Sequence, residues 1–142
     1  MKHSENSMKL YLPSRSVNES IARSCVAAFV SQLNPTIEEI SDIKCAVSEA
    51  VTNSIVHGYK FNDGIIYIGV KYFDDRTVTI EIKDKGCGIE NVSEAMTPLF
   101  TTDTSGERSG MGFAVMGTFM DKLEVYSKKG QGVRVLMSKK LG

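Results

Sequence analysis

The chain of 142 residues has the length of one domain, enough to bury about 70% of the surface its unfolded form exposes. With 42% hydrophobic and 24% charged residues, it needs neither disulfides nor a structural metal to fold. Seventeen basic side chains offset seventeen acidic ones, and this balance argues against a general nucleic-acid binder, which carries a basic excess.

In chain order, residues 1–7 lack an apolar stretch, so no signal peptide is expected and the expected location is cytoplasmic. Residues 8–12 alternate and predict a short strand ended by Pro13. From Asn18 a helix is predicted, with Ile21, Cys25, Phe29 and Leu33 recurring every fourth residue and Ala22 and Val26 beside them. Its apolar run, residues 25–30, is far short of the roughly 20 residues that span a bilayer. Asn34-Pro35 ends this helix. Thr36 followed by Glu39 has capping-box spacing and opens a second helix, with an apolar stripe of Ile40, Ile43, Val47 and Val51 and a stop at Gly58.

Two strands, 65–73 and 77–83, follow around a tight connection at Asp74-Asp75-Arg76. Glycines then crowd in at 86, 88, 106, 110 and 112, with a short helical stretch near 92–96 and a polar, mobile loop over 101–109. A third helix is expected over 112–120, then a hairpin of strands 123–127 and 133–137. Cys25, Cys45 and Cys87 form no CxxC pair, and the expectation is three reduced, buried thiols. Strands and helices mix without the regular alternation of a parallel fold. The predicted class is α+β, a single domain over 1–142 with a mostly antiparallel sheet.

Three segments hold residues suited to chemistry. Glu49 and Asn53, four apart on the second helix, share a face nearly opposite the apolar stripe. Spacing alone leaves two readings, a solvated polar face or a carboxylate that takes a proton beside an amide oxygen suited to Mg²⁺. His57 lies one turn further, where a histidine also serves the last helical carbonyls. Asp84-Lys85-Gly86-Cys87-Gly88 directly follows a strand; it is either an ordinary turn or a carboxylate and two glycines open to a flat base. Arg108-Ser109-Gly110-Met111-Gly112-Phe113 leads a polar loop into a helix, either as a flexible cap or as an anion site with a fixed positive charge.

In this order, the segment Ser48-Glu49-Ala50-Val51-Thr52-Asn53-Ser54-Ile55-Val56-His57-Gly58-Tyr59, then Asp84-x-Gly86-x-Gly88-Ile89, then Arg108 to Phe113 resemble the nucleotide boxes of the GHKL ATPase/kinase superfamily. Within it the resemblance is to the anti-sigma F factors of spore-forming bacteria, small serine kinases. It runs from about Met8 to Lys140 and includes Val26-Ala27-Ala28-Phe29-Val30 and Pro98-Leu99-Phe100-Thr101-Thr102.

The resemblance implies a two-layer α/β sandwich with a mixed, mostly antiparallel sheet covered on one face by helices, and ATP or ADP held beneath a lid. It makes Glu49 the catalytic carboxylate, Asn53 the Mg²⁺ ligand and Asp84 the reader of adenine, in a pocket shaped by Gly86 and Gly88. Gly110 and Gly112 line the phosphates, Thr101, Thr102, Ser109 and Met111 belong to the same nucleotide-binding set, and Arg108 stabilises charge on the γ-phosphate. It implies a sporulation sigma factor as the partner inhibited, an anti-anti-sigma protein as the partner phosphorylated on serine, a homodimer, and Arg23 as a partner-binding residue. No direct contact with nucleic acid or membrane is implied. The alternatives are a nucleotide-dependent sigma-binding module with vestigial kinase activity, or an inhibitor of the related stress-response type. Two departures stand out. Val133 occupies the place of a threonine that helps the aspartate hold adenine, and Asp103-Thr104-Ser105-Gly106 replaces a stretch often bearing a basic residue and proline.

Overall fold

The computed structural model describes residues 4–88 and 111–142. The helical stretch expected near 92–96 and the polar loop 101–109 lie outside the described residues. Strand β1 (Ser4–Pro13) leads to helices α1 (Asn18–Val30) and α2 (Ile37–Asn53); strands β2 (Ile65–Phe73) and β3 (Thr77–Asp84) follow, then α3 (Met111–Phe119), β4 (Lys122–Ser127) and β5 (Val133–Lys140). The strands form one sheet in the order β1-β2-β3-β5-β4, and every described pairing is antiparallel. The α+β class and mostly antiparallel sheet agree with the sequence expectation.

Strand periodicity decides which residues meet the helices. The row Leu10–Ile68–Ile82–Val135–Val125 crosses all five strands, and the row Met8–Val70–Ile80–Met137–Leu123 lies parallel to it. Both rows lie with the core cluster, where Val26, Val30, Ile43, Val47, Val51 and Met116 close the other side. Each such side chain contributes roughly 1.5–3 kcal/mol on burial. The opposite face carries Tyr11–Tyr67–Lys83–Arg134–Tyr126 in register. There the Tyr11 and Tyr67 rings meet at 5.2 Å, tilted 57° to each other, and Lys83 Nζ lies 4.5 Å from the centre of the Tyr67 ring.

The α1 stripe is turned from the expected one. Its buried residues are Ala22, Val26, Phe29 and Val30, whereas Ile21 is half exposed and Cys25 only partly covered. A strict four-residue repeat drifts about 40° per step on a helix of 3.6 residues per turn, so it leaves any single face. The cysteines also correct the expectation, since Cys45 and Cys87 are exposed. Cys45 is on the solvent side of α2, and Cys87 stands in the loop after β3 with Sγ 3.0 Å from the His57 carbonyl oxygen.

The second helix starts as its sequence requires. Thr36 Oγ1 accepts from Glu39 N–H at 3.1 Å, and Glu39 Oε1 accepts from Thr36 N–H at 2.8 Å, a complete capping box. Its far end widens into a π-helical turn, Ser54–Gly58, in which Tyr59 N–H bonds the Ser54 carbonyl five residues back. The left-handed residues that turn the chain away are Lys60 and Phe61, not Gly58.

Candidate functional site

Val78, Ile80, Ile82 and Asp84 are the successive inward-facing positions of β3, so Asp84 stands where the pattern of the strand calls for an apolar side chain. It is 6% exposed. A buried carboxylate needs donors, and the neighbouring elements provide them. Gly86 N–H donates to Oδ1 at 2.9 Å from the turn after the strand. Ser54 stands on the π turn that faces this carboxylate, and Val133 on β5 is the cross-strand partner of Asp84. Burial pushes the Asp84 carboxyl above the ordinary aspartate value, and the neighbouring polar groups, the Gly86 N–H foremost, pull it part of the way back.

The loop after Asp84 is locked against the end of the π turn. Cys87 N–H donates to Gly58 O at 2.9 Å, and Lys85 N–H donates to the Tyr59 hydroxyl at 2.8 Å. A Cβ on Gly86 would lie 2.2 Å from Gly58 O, and one on Gly88, whose φ is +74°, would lie 2.0 Å from Lys128 O. The space these glycines leave is filled by main chain, so Gly86 seats the loop against the π turn and Gly88 seats it against the connection between β4 and β5.

Glu49 and Asn53 lie one turn apart on α2, both half-buried. Glu49 borders a cleft of about 510 Å³ lined also by Ser16, Glu19, Thr52, Val56 and Phe61. A larger hollow of about 1080 Å³ reaches Asp84 and Val133 from the opposite face of the sheet, between Tyr67, Lys83 and Tyr126. The Asp84 carboxylate itself packs against Gly58, on the helical side of the sheet. Arg23 lies on α1 and donates to both oxygens of Glu19 at 2.6 Å.

The structure therefore brings Asp84 and Gly86 against Gly58, on the π turn that continues the helix carrying Glu49 and Asn53, while Gly88 lies against Lys128 and the cleft beside Glu49 includes neither Asn53 nor Asp84. Thr101, Thr102, Arg108, Ser109 and Gly110 lie outside the described residues, while Met111 and Gly112 open α3. Among the described residues, no group of three or more His, Cys, Asp and Glu side chains gathers to hold a metal ion. Asn53 does present an amide oxygen, a hard donor, one turn from the Glu49 carboxylate, which fits Mg²⁺, an ion that takes few protein ligands and completes its shell with phosphate and water. Ser54 was missed by the sequence reading. Its signal was positional, because it falls three, four and seven residues after buried Val51, Ala50 and Val47, on the apolar face.

Comparison with known proteins is consistent with this geometry. The histidine kinase-like ATPase domain matches residues 12–139. The anti-sigma F factor of Clostridium novyi (strain NT) is 57% identical over 139 residues, covering 97% of this chain and 96% of that protein. The anti-sigma F factor of Caldanaerobacter subterraneus subsp. tengcongensis is 58% identical over 137 residues, covering 96% and 95%. Among solved structures, the RsbU and RsbW domains of Rv1364c from Mycobacterium tuberculosis share the fold, with a TM-score of 0.69 at 16% identity over 96% of this chain and 32% of that one. A domain match across most of the chain, and identity above one half along nearly its full length, place this protein in the histidine kinase-like ATPase family and, within it, among the anti-sigma F factors.

Proposed function

We propose that this chain, acting as a single cytoplasmic domain over residues 1–142, inhibits a sporulation sigma factor and, using ATP and Mg²⁺, phosphorylates an anti-anti-sigma protein on serine. The observation that carries this reading is the buried Asp84 carboxylate beneath the end of the helix that bears Glu49 and Asn53. A buried carboxylate that accepts from the Gly86 N–H and still bears acceptor sites suits the amino group of adenine. Asn53 would hold Mg²⁺, which when bound neutralises phosphate charge during transfer. Glu49, on the edge of the cleft between α1 and α2, accepts the proton of the attacking serine hydroxyl. Arg108 stabilises charge on the transferring phosphoryl group. Gly110 and Gly112, with Thr101, Thr102, Ser109 and Met111, contact the phosphates. In the sequestering form two copies act together, and Arg23 on α1 contacts the partner.

The test is single-turnover transfer from ATP to the anti-anti-sigma protein encoded with this chain. Glu49→Gln keeps the side-chain shape and removes the base. It is expected to retain ADP and sigma binding and to transfer phosphate at least about a hundredfold more slowly. A parent protein that binds the sigma factor but transfers nothing is instead a nucleotide-dependent binding module. Equal rates in parent and variant would assign the proton to another group.

A further inference from the structure

Phe61 is 65% exposed, yet its backbone is firmly held. Its φ is +64°, directly after Lys60 at +52°, and this left-handed conformation is costly for an aromatic residue. Phe61 N–H donates to Ile55 O and Asn62 N–H donates to Tyr59 O, both at 2.9 Å. Ser14, a buried residue, pins the rest of the loop, with its hydroxyl donating to Asn62 O and its N–H to Gly64 O, both at 2.8 Å. The cleft beside Glu49 takes its apolar lining from this region, from Ile55, Val56 and Phe61. The loop thus holds an aromatic ring open to solvent, and burial of the ring does not offset the strain.

We propose that Phe61 is a docking anchor for the protein substrate, covered by an apolar side chain that neighbours the phosphorylated serine on that protein. The proposal rests on the reading of Glu49 as the acceptor of the serine proton. Glu49 and Phe61 line one cleft, so a serine presented to the carboxylate brings its neighbouring residues to the ring. An exposed aromatic on a rigid loop suits this task, because the ring offers a large area and little conformational freedom is lost when it is covered. The cleft also sets the chemistry of its occupant, a hydroxyl for Glu49 beside an apolar group for Val56 and Phe61. Inhibition of a sigma factor requires no serine at Glu49, so the cleft is assigned to the substrate.

The experiment compares the parent with Phe61→Asn, Phe61→Leu and Glu49→Gln. Asparagine accepts a left-handed backbone more readily than phenylalanine but gives up the ring. Calorimetry reads affinity for ADP, for the sigma factor and, with ADP present so that no phosphate moves, for the anti-anti-sigma protein. Phe61→Asn is expected to unfold at a urea concentration no lower than the parent's and to bind ADP equally. Its affinity for the anti-anti-sigma protein should fall about tenfold. In transfer assays the effect should lie mainly in KM for that protein, with little change in kcat, since the ring touches no reacting atom. A ring that served the fold would instead lower stability and all three affinities together. Phe61→Leu, with a smaller apolar side chain, should show a lesser loss, and it reports on the ring if Phe61→Asn does not fold. Parent-like substrate affinity in the Phe61 variants that fold, with Glu49→Gln slow in transfer, would overturn the docking role alone. Weakening confined to the sigma factor would also overturn it and assign the ring to that partner. Transfer by Glu49→Gln at the parent rate would overturn the reading of Glu49, and the docking of the serine beside Phe61 with it.

Discussion

Gly58 lies directly against Asp84, and a Cβ added there would stand 3.0 Å from Oδ2 and 3.1 Å from Cγ. This glycine is required by a side chain 26 residues further along, not by its own backbone angles. Gly58→Ala should displace the carboxylate, costing about 1 kcal/mol of stability and about tenfold in ADP affinity. Gly86→Ala drives its Cβ to 2.2 Å from a main-chain oxygen, which has no rotamer to escape to. It should cost about 3 kcal/mol. Urea denaturation combined with calorimetry checks both; if Gly86→Ala is as stable as the parent, the loop is not packed as described.

Because burial raises the Asp84 carboxyl above its ordinary value, the folded protein binds this proton more tightly than the unfolded chain. The contribution of this group to stability is therefore complete below the unfolded value, near 3.8, and is lost as pH rises through the folded one. At neutral pH the ionised, buried carboxylate lowers stability. Asp84→Asn is expected to lose ADP binding by roughly 10- to 150-fold. Relative to the parent its melting temperature should improve steadily as pH is raised from 4 to 7. A difference that does not vary with pH would mean that Asp84 is not desolvated.

Glu39 behaves in the opposite sense. Its carboxylate accepts from Gly142 N–H at 2.9 Å and from Thr36 N–H at 2.8 Å, and these bonds hold its carboxyl below the ordinary glutamate value. Its contribution is present above about 4.5, the unfolded value, and is lost as pH falls through the folded one. Glu39→Gln should therefore flatten the acid limb of the stability curve in that window. Thr36→Ala removes the other half of the cap and should cost about 1 kcal/mol at every pH. Denaturant titrations at pH 3, 5 and 7 separate the two effects.

Lys139 ties three elements together. Its Nζ donates to Phe119 O at 2.9 Å, at the end of α3, and lies 3.4 Å from Asp42 Oδ2 on α2. The ammonium meets the negative end of a helix and a half-buried carboxylate at once. Lys139→Met keeps the stem and removes both contacts. It should cost about 1–2 kcal/mol by urea denaturation and leave ADP affinity unchanged, since neither contact touches Asp84.

Local rules made much of the fold legible. The Thr36–Glu39 box, the Asp74-Asp75-Arg76 turn and the alternation through β2, β3 and β5 each depend on neighbours a few residues apart, and each is found as read. The phase of α1 was not legible, because Ile21 and Ala22 are equally plausible inward residues until the packing of α2 and the sheet selects between them. Cys45 and Cys87 misled for a related reason, since composition favours burial but only the partner elements decide which side is covered. In the candidate site, Glu49, Asn53 and Asp84 stood out by residue type and order. Ser54 did not, because its meaning comes from a carboxylate 30 residues away, reached only through a π turn that no spacing rule announced.

The order β1-β2-β3-β5-β4 has a kinetic consequence. The hairpin of β2 and β3 forms from residues adjacent in the chain, whereas β3 gains its second neighbour only when β5, some 50 residues later, inserts between it and β4. Closing a loop of that length precedes any reward from the contacts it brings, and such non-local pairings slow a fold. Asp84 pairs with Val133 across this junction, so its environment is complete only after this step. Local structure can thus form in the helices and the first hairpin while Asp84 still lacks its cross-strand neighbour. The surroundings of this one carboxylate are set by the pairing with the greatest separation along the chain around it, not by the residues beside it.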